Sequence, residues 1–316
     1  MPAILLTNNR VSIPTMRALR DRFQGVYTPI PASDDYAELT FAAAGVGLPL
    51  HALEPEALFT ELHQLLQNNP ELVVISFGFP LRIPASFLAG AGHRFYNVHF
   101  SLLPRYAGPV PVFWQLRAGD PSGGVTVHQM TERIDAGPVA AQQAVNLFPG
   151  ETYGLYTARL TAAAFPLVQT LLDGFANGGG PKLRPQDATL RTYQRKPREK
   201  DLLIDWDTQP AGAIEHLVNA CNPIATGAWT WFRGQPLQIL EVSPAEGTLK
   251  APAGTIVHAN PVQGLFVCCC DGNLLRINVA KLPEGILSGG KLAAIGFRPQ
   301  ECFDKGTIAS PTTVSH

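Results

Sequence analysis

Asn97 and His99 stand two residues apart at the end of an apolar run, F-Y-N-V-H-F-S-L-L-P-R-Y-A-G over residues 95–108. Side chains at i and i+2 of a strand share a face, so an amide and an imidazole project together, and the turn formers Pro104 and Gly108 follow at once. Open α/β sheets bind ligands outside the carboxyl ends of their strands, which is where this pair is expected. Further along, T-E-R-I-D-A-G-P-V (131–139) sets Asp135 just ahead of a glycine and between two strand-like runs, 125–130 and 139–145. From such a loop a carboxylate can reach a neighbouring strand end. An amide that donates to a developing oxyanion, an imidazole that moves a proton and a carboxylate that orients or charges the imidazole together make an acyl-transfer site. It requires no serine or cysteine nucleophile.

The elements that must carry these groups alternate. Strands are expected at 3–7, 25–28, 71–77, 95–100 and on both sides of the Asp135 loop. Helices are expected at 15–23, 55–67 (with Leu58, Leu62, Leu65 and Leu66 on one side), 110–117 and 152–175. That order predicts an α/β fold, a Rossmann-like, mostly parallel sheet covered on both faces. The first strand runs into T-N-N-R-V-S-I-P rather than a Gly-x-Gly-x-x-Gly turn, so a dinucleotide pyrophosphate is not provided for. N-G-G-G (177–180) ends the long helix. The polar stretch 181–201, with Arg191, Arg195, Lys196, Arg198 and Lys200, reads as an exposed linker whose charges are solvated. Beyond it a helix at 211–221 and strands at 228–232, 237–242, 254–259, 265–270 and 274–282 predict a smaller β-rich, OB-like barrel. The expected organisation is a catalytic domain over 1–180, a linker over 181–203 and a barrel domain over 204–316.

With 316 residues, 46% of them hydrophobic, the chain can fill two cores, and a net charge of −1 gives no global pull toward nucleic acid or membrane. No run approaches the roughly 18 apolar residues of a membrane span. The first residues lack the pattern of a signal peptide, so a cytoplasmic location is expected. The five cysteines form neither a Cys-x-x-Cys metal site nor a disulfide framework, and the consecutive Cys268, Cys269 and Cys270 read as small buried hydrophobes. No metal is expected.

With N-V-H-F-S-L-L-P followed downstream by I-D-A-G, the chain resembles the 10-formyltetrahydrofolate-dependent formyltransferases, whose shared motif is Asn-x-His-x-Ser-Leu-Leu-Pro followed by an Asp-x-Gly loop. The resemblance is strong over 70–145. It is weaker after 200, where I-D-W (204–206) and Asn222-Pro223 are similar to the start of the family's C-terminal domain. It implies that Asn97, His99 and Asp135 are the catalytic groups and that 10-formyltetrahydrofolate is the formyl donor, a cosubstrate. It also implies a pterin pocket at I-S-F-G-F-P-L-R-I-P (75–84), with Phe77, Gly78, Phe79, Leu81, Ile83, Arg133 and Ile134 on the donor. Gly78 and Pro80 would expose backbone groups to the pterin edge, and Ser101, Leu103, Pro104, Tyr106 and Gly108 would serve the acceptor.

Three stretches depart from the better-known relatives. Methionyl-tRNA formyltransferases carry a basic insertion after the second strand, whereas T-P-I-P-A-S-D-D-Y-A-E-L-T-F (28–41) has no Lys or Arg. Ala107 stands where the family commonly has Arg, and N-P-I-A-T-G-A-W replaces Asn-Pro-Trp-Pro. The expectation drawn from these is a small primary amine acceptor, an amino sugar nucleotide or an amino acid derivative. The alternatives are a methionyl-tRNA formyltransferase, a formyltetrahydrofolate hydrolase or a non-catalytic folate-binding protein.

Overall fold

Short apolar runs bounded by turn formers become the strands of a first sheet: β1 (Ala3–Leu6), β2 (Phe23–Pro29), β3 (Leu50–Leu53), β4 (Val73–Phe77), β5 (Phe95–His99), β6 (Ser122–Gln129) and β7 (Val139–Asn146). The structure, a computed structural model, describes residues 2–304 and 306. The last part of the barrel domain expected over 204–316, residues 307–316, lies outside them. The sheet order is β3-β2-β1-β4-β5-β6-β7. The first five strands run parallel, and β6 and β7 add antiparallel to β5 and to each other. β1, β4 apart from Ser76, and the start of β5 at Phe95 and Tyr96 are apolar and buried, as strands covered on both faces must be. The chain winds outward from β1 to β3 and then crosses back to β4, so the order reverses between β1 and β4, the crevice where such sheets bind ligands.

Helices α1 (Ile13–Ala18), α2 (Tyr36–Gly45), α3 (Pro55–Asn68) and α4 (Ala85–Ala91) connect the parallel strands. α3 buries Leu58, Leu62 and Leu66 against Ile4, Leu6, Val74 and Phe95. Each Leu so buried stabilises the fold by about 1.5–3 kcal/mol. The expected helix at 15–23 is shorter. It ends at Ala18 and passes through a 3-10 turn at Arg20–Arg22 into β2.

The chain up to Pro111, with Ser122–Asn146 and Thr157–Arg195, forms one compact unit. Val112–Pro121, Leu147–Tyr156 and the chain from Lys196 onward form a second. α5 (Pro111–Ala118) lies largely in the second unit, and α6 (Tyr153–Ala176) belongs mainly to the first.

In the second unit, α7 (Ala211–Cys221) precedes β8 (Ala228–Phe232), β9 (Gln235–Thr248), β10 (Ile256–Asn260), β11 (Gly264–Cys268), β12 (Asn273–Leu282), β13 (Gly285–Ser288), α8 (Gly289–Ala294) and β14 (Phe303–Asp304). The antiparallel order is β10-β11-β12-β9-β8-β14, with β13 beside β12. The sheet curls, because Ile256 and Gly254 at the head of β10 exchange backbone hydrogen bonds with Gln300, Glu301 and Phe303 at the far edge. The cysteine run divides: Cys268 and Cys269 are buried, but Cys270 is exposed where β11 gives way to a turn, and all five cysteines are free thiols. Burial pushes the Cys269 thiol up to about 12, with Asp271 adding to the effect.

Candidate active site

The alternation of β5 sends Asn97 and His99 to one face, and the antiparallel register of β6 sets His128 directly opposite Asn97. At this end of the sheet a cavity of about 360 Å³ opens. Its floor holds Asn97, His99, His128 and Asp135, and its apolar wall includes Phe79, Leu81, Ile83, Leu88 and Met130. The apolar wall begins where β4 ends. Gly78 adopts φ 65°, a left-handed turn that glycine alone takes without cost, and a Cβ there would lie 2.7 Å from that of Asn9.

Asp135 reaches this floor from the loop between β6 and β7. Its Oδ2 accepts the Gly108 N–H at 2.8 Å and lies 3.7 Å from His99 Nδ1, while its Oδ1 lies 3.4 Å from His128 Nε2. Burial opposes ionisation of this carboxyl. The two imidazoles and the Gly108 N–H outweigh it and hold the group well below the usual carboxylate range. His99 is pushed the other way, since burial lowers its affinity for a proton despite Asp135 and the Tyr106 carbonyl, and His128 and Arg191 add to the lowering. The resting pair is therefore a carboxylate beside a neutral imidazole.

The tautomer of that imidazole follows from its partners. His99 Nε2 lies 2.9 Å from the Tyr106 carbonyl oxygen, which can only accept, so Nε2 carries the proton and Nδ1 keeps its lone pair on the side of Asp135. His128 Nδ1 in turn donates to the Gln129 carbonyl at 3.0 Å, and its Nε2 faces the Asn97 amide nitrogen at 3.4 Å.

Both loops that complete the floor are strained. Tyr106 and Asp135 have φ of 56° and 51°, each a conformation costing a non-glycine residue of order 1–3 kcal/mol unless its surroundings impose it. The surroundings come from residues 181–195, which the sequence predicts to be a solvated linker and which instead bind down over both loops. Thr192 Oγ1 accepts the Tyr106 N–H at 2.8 Å, Ala107 exchanges backbone bonds with Thr192 and Gln194, and Arg184 with Val139. Gln186 and Arg191 donate to carbonyls of the Asp135 loop. A Cβ on Gly108 would meet the Gln194 carbonyl oxygen at 2.0 Å, so this close approach needs glycine.

Of the residues expected around the donor, Gly78, Phe79, Leu81, Ile83 and Ile134 line the cavity. Phe77 does not, because it points into the core and packs edge-on against Phe100 at 5.5 Å. Arg133 is exposed outside the lining, its carbonyl accepting from Thr131 Oγ1. Of those expected around the acceptor, only Gly108 lines it. Ser101, Leu103, Pro104 and Tyr106 build the loop instead: Ser101 Oγ donates to the Arg105 carbonyl, the Leu103 carbonyl accepts from Gln142, the Pro104 carbonyl from Thr192 and the Tyr106 carbonyl from His99. His128 escaped the sequence reading, although V-T-V-H alternates and puts it on the polar face of β6.

Residues 41–170 match the formyl transferase family and residues 196–294 match its C-terminal domain. The chain belongs to the formyl transferase family. It is 35% identical over 238 residues to the methionyl-tRNA formyltransferase of Roseiflexus castenholzii, a match covering 74% of this chain and 73% of that one. Among solved structures, the N-formyltransferase from Helicobacter canadensis in complex with folinic acid and dTDP-3-aminofucose superposes with a TM-score of 0.67 at 13% identity. That match covers 88% of this chain and 98% of the other. HypX from Aquifex aeolicus in complex with tetrahydrofolic acid gives 0.65 at 18% identity over 92% of this chain, which spans 46% of that longer protein. At these identities the two structures speak for the fold.

Proposed function

We propose that the protein transfers the formyl group of 10-formyltetrahydrofolate to the α-amine of an aminoacyl group carried on tRNA, methionyl-tRNA first, with Asn97, His99 and Asp135 as the catalytic groups. The observation that carries the chemistry is the convergence of the Asn97 amide, the His99 imidazole and the Asp135 carboxyl on one cavity floor, with His99 Nε2 held by the Tyr106 carbonyl. The cavity suits the donor's ring system: its volume lies at the lower end of small-molecule sites. Its walls are apolar, and Arg82, Thr131 and Glu132 provide polar groups along its lining.

The residues divide the work. His99 Nδ1 takes the proton of the amine as its nitrogen bonds to the formyl carbon, and Asp135 stabilises the imidazolium that results. Asn97 Nδ2 donates to the formyl oxygen, an interaction worth about 3 kcal/mol by the usual scale of oxyanion donors. His99 returns the proton to the departing donor nitrogen as the old carbon–nitrogen bond breaks. Neutrality of His99 is what the first step needs, and burial supplies it.

The tRNA acceptor rests on the likeness, over most of the chain, to an enzyme named for that substrate. It takes precedence over the small amine suggested by the three sequence departures. A second reading keeps the small amine, on one specific observation. The segment after β2 is folded back on the first loop, with the Arg10 N–H donating to Asp35 Oδ2 at 3.0 Å and the Arg10 side chain pairing with Asp35 and Glu38, and it presents Asp34 but no Lys or Arg to a phosphate backbone. Among the described residues no helix is long and apolar enough to cross a membrane.

The test is incubation with 10-formyltetrahydrofolate and, separately, methionyl-tRNA, amino-sugar nucleotides, free amino acids and no acceptor, with mass analysis of products. Formylmethionyl-tRNA formed fastest is the expected result. A formylated sugar or amino acid formed faster would establish the second reading, and formate released equally fast without acceptor would identify a hydrolase.

A further inference from the structure

We propose that Arg191 is a positioning residue for this reaction, clamping the loop that carries Asp135 in the one conformation that delivers the carboxylate to His99. The inference rests on the proposed roles of Asp135 and His99. Arg191 comes from the segment after α6, 56 residues beyond Asp135 in sequence. Its Nη2 donates to the Ile134 carbonyl at 2.8 Å and its Nη1 to the Asp135 carbonyl at 3.3 Å. Gln186 Nε2 completes the clamp on the Asp135 and Gly137 carbonyls at 3.0 and 2.6 Å. Four side-chain donor contacts thus act on three carbonyls of a turn whose central residue has φ 51°, a state that persists only where surrounding contacts impose it.

The fork of the guanidinium matters as well as its charge. Two adjacent carbonyls are held by two nitrogens of one planar group, a geometry that a lysine ammonium cannot reproduce. Ile134, the first carbonyl held, also lines the donor cavity, so the clamp sets that wall and the carboxylate together. The charge has a second effect. The groups that act on the charge of His99 are Asp135, the Tyr106 carbonyl, His128 and Arg191, and Arg191 acts with His128 against protonation of His99.

The decisive experiment compares Arg191→Lys and Arg191→Met with the wild type in single-turnover formyl transfer over pH, with circular dichroism melts and donor binding measured on the same preparations. The expected result is that both variants fold and lose at least tenfold in turnover at saturating donor, with donor affinity falling less than turnover does. The acid limb of the pH profile should move to lower pH in Arg191→Lys, where the cation stays but Asp135 is displaced, and should lie higher in Arg191→Met than in Arg191→Lys, because there the cation is gone as well. Turnover within threefold of wild type in both variants would overturn the proposal, as would an acid limb that does not distinguish them. If Arg191→Met does not fold, Arg191→Lys decides by its turnover. Asp135→Asn and His99→Ala run alongside: should they too retain turnover, the catalytic assignment itself has failed, whereas their loss with intact Arg191 variants refutes the clamp alone.

Discussion

Replacing Asp135 by Asn isolates the charge of that side chain from its shape. Asn tolerates the left-handed φ of 51° that Ala would take only under strain, and its amide oxygen can still accept the Gly108 N–H. What disappears is the negative charge 3.7 Å from His99 Nδ1. At that separation and an effective dielectric near 20, a carboxylate and an imidazolium attract by about 4 kcal/mol. Proton transfer is incomplete in the transition state, so roughly half to all of this is at stake, and turnover should fall by about thirtyfold to a thousandfold. The sign of the pH effect follows too. Asp135 favours the protonated imidazole, so its removal lowers the affinity of His99 for a proton and moves the acid limb of the rate profile to lower pH. Single-turnover transfer at saturating donor, with melting curves to confirm folding, measures both. A variant within fivefold of wild type, or an acid limb displaced upward, would refute the electrostatic reasoning.

Asn97→Ala and His99→Ala should each lower turnover at least about a hundredfold with unchanged far-ultraviolet spectra, and wild-type rates in either would remove that residue from the mechanism. The wild-type rate should rise with pH along an acid limb whose midpoint lies below that of an ordinary histidine, because burial disfavours the imidazolium of His99. A Cβ on Gly137 would meet the Gln129 carbonyl oxygen at 1.8 Å. Gly137→Ala should accordingly destabilise the first unit by about 1–3 kcal/mol in urea titration and slow turnover by displacing Asp135. Because the Asp135 carboxyl is held below its unfolded value, it contributes stability above about pH 4 that is lost as pH falls through its native value. The stability difference between wild type and Asp135→Asn should shrink in acid, as equilibrium denaturation at pH 7 and pH 3 would reveal.

Asn97 and His99 were legible because a strand has period two and the turn residues after them mark its carboxyl end. Asp135 was legible through the likeness of I-D-A-G to the family's Asp-x-Gly loop, since a carboxylate ahead of glycine in a short loop otherwise reads as a turn residue. His128 was not, since its place opposite Asn97 is a matter of register between β5 and β6, and register is written in neither strand alone. Residues 181–195 were misread for a similar reason. A polar stretch without periodicity reads as linker, while its actual partners are carbonyls and amides of loops that only the folded sheet brings near. α2, with its alanines and a glycine, has no apolar stripe to announce it, whereas α3 shows its leucines plainly. The parallel sheet, the long α6 and the β-rich second half followed from run length and punctuation.

The central claim is that Asp135 acts through His99, and a double-variant cycle tests it most directly. If it is right, Asp135→Asn has almost no further effect once His99 is Ala, and the double variant turns over within about threefold of His99→Ala alone. Losses that multiply, each variant slowing the reaction by its full factor in the presence of the other, would show two independent contributions and contradict the account.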